Sequence, residues 1–245
     1  MSAPDPAPYR TEDLPYEGEG ERFLGHVAHP HAAGPRPCVV LAHDWSGLNR
    51  GMKAVAQRVA ALGYVAFGID VYGAGVRGDE LGDNSHLMGP LLADRALLRR
   101  RLLLGLKAAA AHPAVDPARI AVLGFCFGGL CALDLARADP PELRAAVSVH
   151  GVLRPPQLEP RRSIRASVLL LHGWEDPTAP PEDVLAITRE LTEAGADWQL
   201  HVYGHAMHAF TFEAARWPER GIAYEPRAAR RAWKTLGEFL AETFG

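Results

Sequence analysis

The stretch Ile120-Ala121-Val122-Leu123-Gly124-Phe125-Cys126-Phe127-Gly128-Gly129 decides the reading of this chain. Ile120–Leu123 is a short apolar run, which reads as a buried strand, and Gly128–Ala138 beyond it reads as a helix. Between them stands Gly-x-Cys-x-Gly, the sharp strand-to-helix elbow that lifts a nucleophile above a sheet edge, here with cysteine in the serine position. The central residue of such an elbow is strained, so its neighbours two positions away must be small, and Gly124 and Gly128 supply that room. The helix behind directs its positive end at the sulfur and favours the thiolate. The same helix start offers the Phe127 N–H as a donor to a developing oxyanion. A buried structural cysteine in a glycine-rich turn is the bland alternative, and the flanking strand and helix weigh against it. A dinucleotide fingerprint fits Gly124 and Gly129 at its ends, but Cys126 fills the middle, where a side chain blocks the approach of a pyrophosphate.

Outward from the elbow, strands and helices alternate. Arg22–His29 reads as an edge strand, and Cys38–Ala42, Tyr64–Asp70, Ala145–Val149, Ser167–Leu171 and Trp198–Tyr203 as further strands. Met52–Leu62, Leu91–Ala111, Pro181–Glu193 and Ala228–Phe239 read as helices. This alternation predicts an α/β fold with a mostly parallel central sheet and helices on both faces. Residues 1–20 are rich in proline and charge and are expected to form a loosely ordered arm, with residues 21–245 as a single domain.

Composition excludes several classes. The 245 residues carry 26 Lys+Arg against 29 Asp+Glu, a formal charge of −3, so there is no basic excess for nucleic acid or an anionic membrane. No apolar run approaches the ~18–20 residues of a membrane span. The N-terminus lacks the charged and apolar regions of a secretory signal, and Cys38, Cys126 and Cys131 are too few and odd in number for a disulfide framework. A cytoplasmic location is the expectation.

In sheets of this kind ligands bind at the carboxyl ends of the strands. The candidate chemistry sits there. An elbow nucleophile is followed in chain order by an acid and then a histidine. Glu175 and Asp176 both follow the strand Ser167–Leu171, and His205 and His208 follow Trp198–Tyr203. The order Cys126, Asp176, His208 fits. His208 would move the proton between thiol and leaving group, and Asp176 would orient its ring. A turn carboxylate before Pro177 and an ordinary loop histidine are the competing readings, and the joint placement of three residue types after three strands carries the inference. A metal site built from His201, His205 and His208 with Asp176 or His172 is weighed and set aside. No His-Glu-x-x-His is present and the cysteines lack metal spacing.

With these residues in hand, the chain resembles the dienelactone hydrolase family of α/β-hydrolases from about Arg22 to the C-terminus. The carriers are Val39–Asn49 (VVLAHDWSGLN), Gly63–Ala66 leading to Asp70-Val71-Tyr72-Gly73, the Cys126 elbow, Gly173-x-x-Asp176 and His208-Ala209-Phe210. The resemblance implies an α/β-hydrolase fold, a Cys126–Asp176–His208 triad, and an oxyanion hole completed by the Trp45 N–H beside that of Phe127. It also implies that Asp44, at the position where the family typically has a thiol-contacting glutamate, is a candidate contact of the nucleophile. Family members acting on dienelactones clamp the substrate carboxylate with arginines. One of these positions, four residues after the histidine, is Phe212 here, leaving Arg77 and Arg50 as candidate cations. Trp45, Phe125, Phe127, Trp174, Phe210 and Phe212 are aromatic candidates to line the site, Phe125 reading better as core. Arg77, Trp174, Phe210 and Phe212 are the substrate-binding candidates. The expectation is a cofactor-independent hydrolase of a neutral ester or lactone, acting through a cysteine acyl-enzyme, as a monomer or small homo-oligomer. A non-catalytic binding protein of the same fold and a thiol-redox or metal protein are the rivals.

Overall fold

In the computed structural model, which describes residues 8–158 and 163–245, the apolar runs pair into one eight-stranded sheet. The chain opens with a hairpin, β1 (Tyr9–Gly18) and β2 (Glu21–Pro30). Next come β3 (Arg36–Ala42), α1 (Arg50–Ala61), β4 (Val65–Ile69), α2 (Ser85–Ala93) and α3 (Arg95–Ala110). The elbow joins β5 (Val115–Phe125) to α4 (Phe127–Ala138), and β6 (Leu143–Val149), β7 (Ser167–Gly173), α5 (Pro181–Glu193) and β8 (Trp198–Tyr203) follow. A two-strand ribbon, β9 (Arg216–Trp217) and β10 (Ile222–Ala223), precedes α6 (Pro226–Phe244). The strand order is β1-β2-β4-β3-β5-β6-β7-β8, with β3 to β8 mutually parallel and β2 antiparallel to both β1 and β4. This is the α/β-hydrolase architecture, and the carboxyl ends of β3 to β8 therefore share one rim.

Period-two alternation along β5 builds the two cores. Ile120 and Val122 face a cluster with Leu98 and Leu102 of α3, Leu130 of α4 and Ile187 of α5. Ala121 and Leu123 face the opposite cluster, with Met52 and Val59 of α1 and Leu236 and Leu240 of α6. Each such buried Leu, Ile, Val or Met side chain stabilises the fold by about 1.5–3 kcal/mol. Helix α4 is buried along its whole length. Its Asp134 accepts two 2.7 Å bonds from Arg95 of α3, and its Arg137 reaches Glu190 of α5 at 2.7 Å, so three helices on one face are cross-tied.

Three elements differ from the sequence expectations. Residues 9–18 of the anticipated loose arm form β1, the true sheet edge, so β2 is an interior strand; residues 1–7 lie outside the described residues. Only Tyr9, Leu14, Tyr16 and Gly18 of β1 are even partly covered, and an edge strand tolerates its charges and Pro15. The helix anticipated at Leu91–Ala111 is two helices. Asp94 ends α2 and caps α3, its side chain accepting from the Leu97 N–H at 2.8 Å. The final helix runs beyond Ala228–Phe239 at both ends, opening at Pro226, where the missing N–H costs nothing.

Candidate active site

Cys126 sits at the end of β5 with φ 56° and ψ −117°, a conformation disfavoured for any residue but glycine. The flanking glycines make it possible. A Cβ on Gly124 would lie 1.8 Å from the Gly128 oxygen, and one on Gly128 would lie 2.0 Å from the Ala42 oxygen. The Cys126 N–H is held by the Val149 carbonyl at 3.1 Å, which fixes the elbow to β6. The side chain is half-buried, whereas Cys38 and Cys131 are enclosed and burial pushes their thiols up.

Asp176 and His208 follow the ends of β7 and β8, beyond the intervening β6. Asp176 is buried in the turn after β7, and Oδ1 is occupied by the Thr178 N–H at 2.8 Å and the Thr178 hydroxyl at 2.6 Å. Oδ2 is left for His208 Nδ1, at 2.8 Å. Thr178 Oγ1 also stands 3.0 Å from that nitrogen, and since its proton goes to Asp176 it can only accept there. The His208 backbone is pinned to the small ribbon, its N–H donating to Gly221 at 2.8 Å and its carbonyl accepting from Ala223 at 3.1 Å. A Cβ on Gly173 would lie 2.6 Å from the Ala206 oxygen, so the two loops pack backbone to backbone. Nδ1 being committed to Asp176, the opposite nitrogen of the ring is left free of that bond, and Cys126 is close enough to act on the ring through its charge.

The charges follow. Burial alone would lower the His208 imidazolium. The negative charge of Cys126 and the bond to Asp176 outweigh it and hold the group up at about 10. Burial disfavours the Asp176 carboxylate, but its bond to His208 more than compensates and keeps it below the usual range. The arrangement favours a charged His208 ring against the buried Asp176 carboxylate.

The loop after β3 faces the elbow. His43 is buried, Nδ1 donating to the Asp44 carbonyl at 2.7 Å and Nε2 accepting from the Val71 N–H at 3.3 Å. A planar trans peptide points its N–H opposite to its C=O, so anchoring the Asp44 carbonyl aims the Trp45 N–H the other way. The Trp45 carbonyl is fixed in turn by the Tyr72 hydroxyl at 2.9 Å. Phe127 is the first residue of α4, and its N–H has no acceptor within the helix.

Several sequence expectations are corrected. Asp44 turns its carboxylate into its own loop, accepting from the Ser46 N–H at 2.8 Å and from the Ser46 hydroxyl. Among the described residues it makes no hydrogen bond to Cys126, because the shorter side chain closes a tight turn first. Arg77 is not a free clamp. Its Nε donates to the Leu48 carbonyl at 2.8 Å, and Nη1 lies 3.5 Å from the fully buried Asp70 carboxylate, whose charge it balances. Phe210 is wholly buried, edge-on to Tyr203 and His150, and Phe125 and Phe127 are also core. Trp174 is exposed, Trp45 and Phe212 are half-buried, and Arg50 is exposed at the start of α1. Among the described residues no group of three or more His, Cys, Asp or Glu side chains is arranged to hold a metal. Sequence reasoning overlooked Thr178, His43 and His150. Thr178 was findable, since Asp-x-Thr is the signature of a carboxylate bonding two residues on.

The elbow, the order of the three side chains and the sheet they stand on define an α/β-hydrolase. The model of the dienelactone hydrolase family matches residues 23–244, and the chain belongs to that family, whose members include hydrolases of ester and lactone type. A crystal structure of a dienelactone hydrolase-like promiscuous phosphotriesterase from metagenomic libraries, P91, is 35% identical with a TM-score of 0.90, over 97% of this chain and 99% of that one. A Bradyrhizobium sp. protein described as "Probable 2-oxo-3-(5-oxofuran-2-ylidene)propanoate lactonase" is 30% identical over 234 residues, 90% of each chain. An Anabaena variabilis dienelactone hydrolase structure is 20% identical with a TM-score of 0.70, over 97% of this chain and all of that one, a likeness of fold. No helix among the described residues is long and apolar enough to cross a membrane.

Proposed function

We propose that this chain hydrolyses uncharged carboxylic esters or lactones through a thioester on Cys126, without a cofactor. One observation carries the reading: a strained elbow holds the half-buried Cys126 within electrostatic reach of a histidine that is itself bonded to a buried carboxylate. The Cys126 thiolate attacks the carbonyl carbon, and the carbonyl oxygen takes the negative charge. In this reading the Trp45 and Phe127 N–H groups hold that oxyanion. As the tetrahedral adduct collapses, the C–O bond breaks and the His208 imidazolium gives its proton to the leaving alkoxide, so that an alcohol departs. Neutral His208 then takes a proton from water. The hydroxide adds to the thioester, and collapse releases the acid and restores the thiolate–imidazolium pair.

The preference for an uncharged acyl group rests on the cations. Arg77 is committed to Asp70 and to backbone carbonyls, and Phe212 stands where the family resemblance implies a clamping arginine. The same lack of a clamp supports a second reading, because a neutral phosphotriester also needs none and a 35% identical relative is described as a promiscuous phosphotriesterase. A panel of activated neutral esters, neutral lactones, their carboxylate-bearing analogues and a neutral phosphotriester tests both. Neutral esters or lactones are expected to give the highest kcat/KM. A preference for the carboxylate-bearing compounds overturns the substrate assignment, and a phosphotriester ranking first installs the second reading.

A further inference from the structure

His150 lies beside the triad, at the end of β6, and no step above uses it. Its backbone is strained, with φ 38°, and its N–H is fixed by the Leu171 carbonyl at 2.9 Å. A non-glycine residue in this region persists only where its surroundings enforce it, and such strain concentrates at functional sites. The ring is almost wholly buried and is held on three sides. It meets the His208 ring edge-on at 5.3 Å between centroids, the Phe210 ring at 5.3 Å, and the Phe125 ring at 5.9 Å. These separations fall in the range of aromatic pairs in contact. Nε2 makes a 2.8 Å hydrogen bond with the Thr211 hydroxyl, three residues beyond His208 on the same loop. A ring wedged in this way limits the swing of the His208 imidazole about its own side-chain bond.

We infer that His150 is a positioning residue for His208: a neutral imidazole, tethered to Thr211, whose ring keeps the His208 imidazole in line between Asp176 and Cys126. The assignment rests on the reading of Cys126 and His208 as the reacting pair. Neutrality matters, because a second cation against the imidazolium would repel it. Burial, and then the charge of His208, push His150 down to about 3, so it carries no charge at any working pH. The groups acting on His208 are then Cys126 from the elbow, Asp176 and Thr178 from the β7 turn, His172 from β7, which burial also keeps neutral, and His150 from β6.

The test compares His150→Ala, His150→Phe and Thr211→Val with the intact chain, using an activated neutral ester. His150→Ala is expected to lower kcat about tenfold to hundredfold, as misplacement of a reacting group does, with KM nearly unchanged. The pH at which His208 loses its proton, followed by its ring NMR signal, is expected to move down from about 10. His150→Phe keeps the ring wall and is expected to recover most of both losses, while Thr211→Val gives a smaller loss of kcat in the same direction. Where His150→Ala does not fold, Thr211→Val carries the test. An unaltered kcat in Thr211→Val and His150→Ala, or a reduced kcat with an unmoved His208 titration, overturns the inference. Retained turnover in Cys126→Ala would instead remove the underlying reading, so the two failures are distinguishable.

Discussion

Two histidine–carboxylate pairs bridge the same two loops, and they are chemically almost identical. His208 meets Asp176 at 2.8 Å, and three residues earlier His205 meets Glu175 at 3.0 Å. The difference is water. The side chains of the first pair are 7% and 0% exposed, and those of the second are 94% and 42% exposed. In the inner pair the charge of Cys126 and the bond to Asp176 overcome the burial that would otherwise lower His208, and hold it up at about 10. In the outer pair solvent screens the attraction, and an exposed bond of this kind contributes about 0–1 kcal/mol. Residue type and spacing make a pair, and burial gives it a function.

The comparison can be broken most sharply by exchanging one histidine at a time. His208→Ala is expected to lower kcat/KM by at least about a thousandfold, the scale on which a triad base acts, and steady-state hydrolysis of an activated ester reads it. His205→Ala is expected to leave the same assay essentially unchanged; the reverse outcome would mean that the outer pair is the working one. The acids repeat the contrast at the next scale. Asp176→Asn is expected to cost about a hundredfold or more in kcat, because an amide cannot balance the imidazolium, while Glu175→Gln is expected to keep wild-type rates.

A pH titration sharpens the contrast without touching the outer pair. His208 is near 10 in the folded chain and about 6.5 when unfolded, so its folded value is raised. The stability it contributes is therefore complete below about 6.5 and is lost as pH rises through 10. Asp176 is lowered below 3.8, so its contribution is present above that value and is lost as pH falls through its lower folded value. Thermal unfolding from pH 6 to 10.5 is expected to show an alkaline decline that His208→Gln flattens. Since the Cys126 thiolate is the largest of the influences that raise His208, Cys126→Ala is expected to move the decline to lower pH, and an unmoved decline would deny the ion pair. The smallest effect belongs to Thr178→Val, which removes the accessory acceptor and the hydroxyl on Asp176 while keeping the shape. A loss of about tenfold in kcat is expected from loosened alignment, and an unchanged kcat would make Thr178 a bystander.

Much of this was legible in the residues alone. The strands β3 to β7 carry short apolar runs because both faces of a parallel sheet are covered there, and such runs stand out, whereas the edge strand β8 alternates apolar and polar residues. The elbow is legible for a local reason: the clash that a Cβ would cause at Gly124 or Gly128 involves atoms only a few residues away or on the neighbouring strand. β1 was not legible, because an edge strand facing water carries Thr11, Glu12 and Asp13 without penalty and looks like a loose arm. Nor could a sequence tell that Arg77 would be spent on Asp70, since the two meet only when β4 and the following loop fold together. The same holds for Phe210, whose ring faces the core rather than the rim, and for His150, which acquires its place through three rings, one from the end of β5 and two from the loop after β8. Choosing His208 over His205 needed the family motif, because the deciding property, burial, belongs to the tertiary structure.

The central claim is a covalent bond to one sulfur, and intact-protein mass spectrometry tests it most directly. The chain is mixed with an activated neutral ester, quenched in acid within the first turnovers, and weighed. The account predicts a mass increase equal to the acyl group, mapped by peptide sequencing to Cys126, absent from Cys126→Ala together with its turnover. Full turnover with no adduct on Cys126, and undiminished hydrolysis by Cys126→Ala, would contradict it.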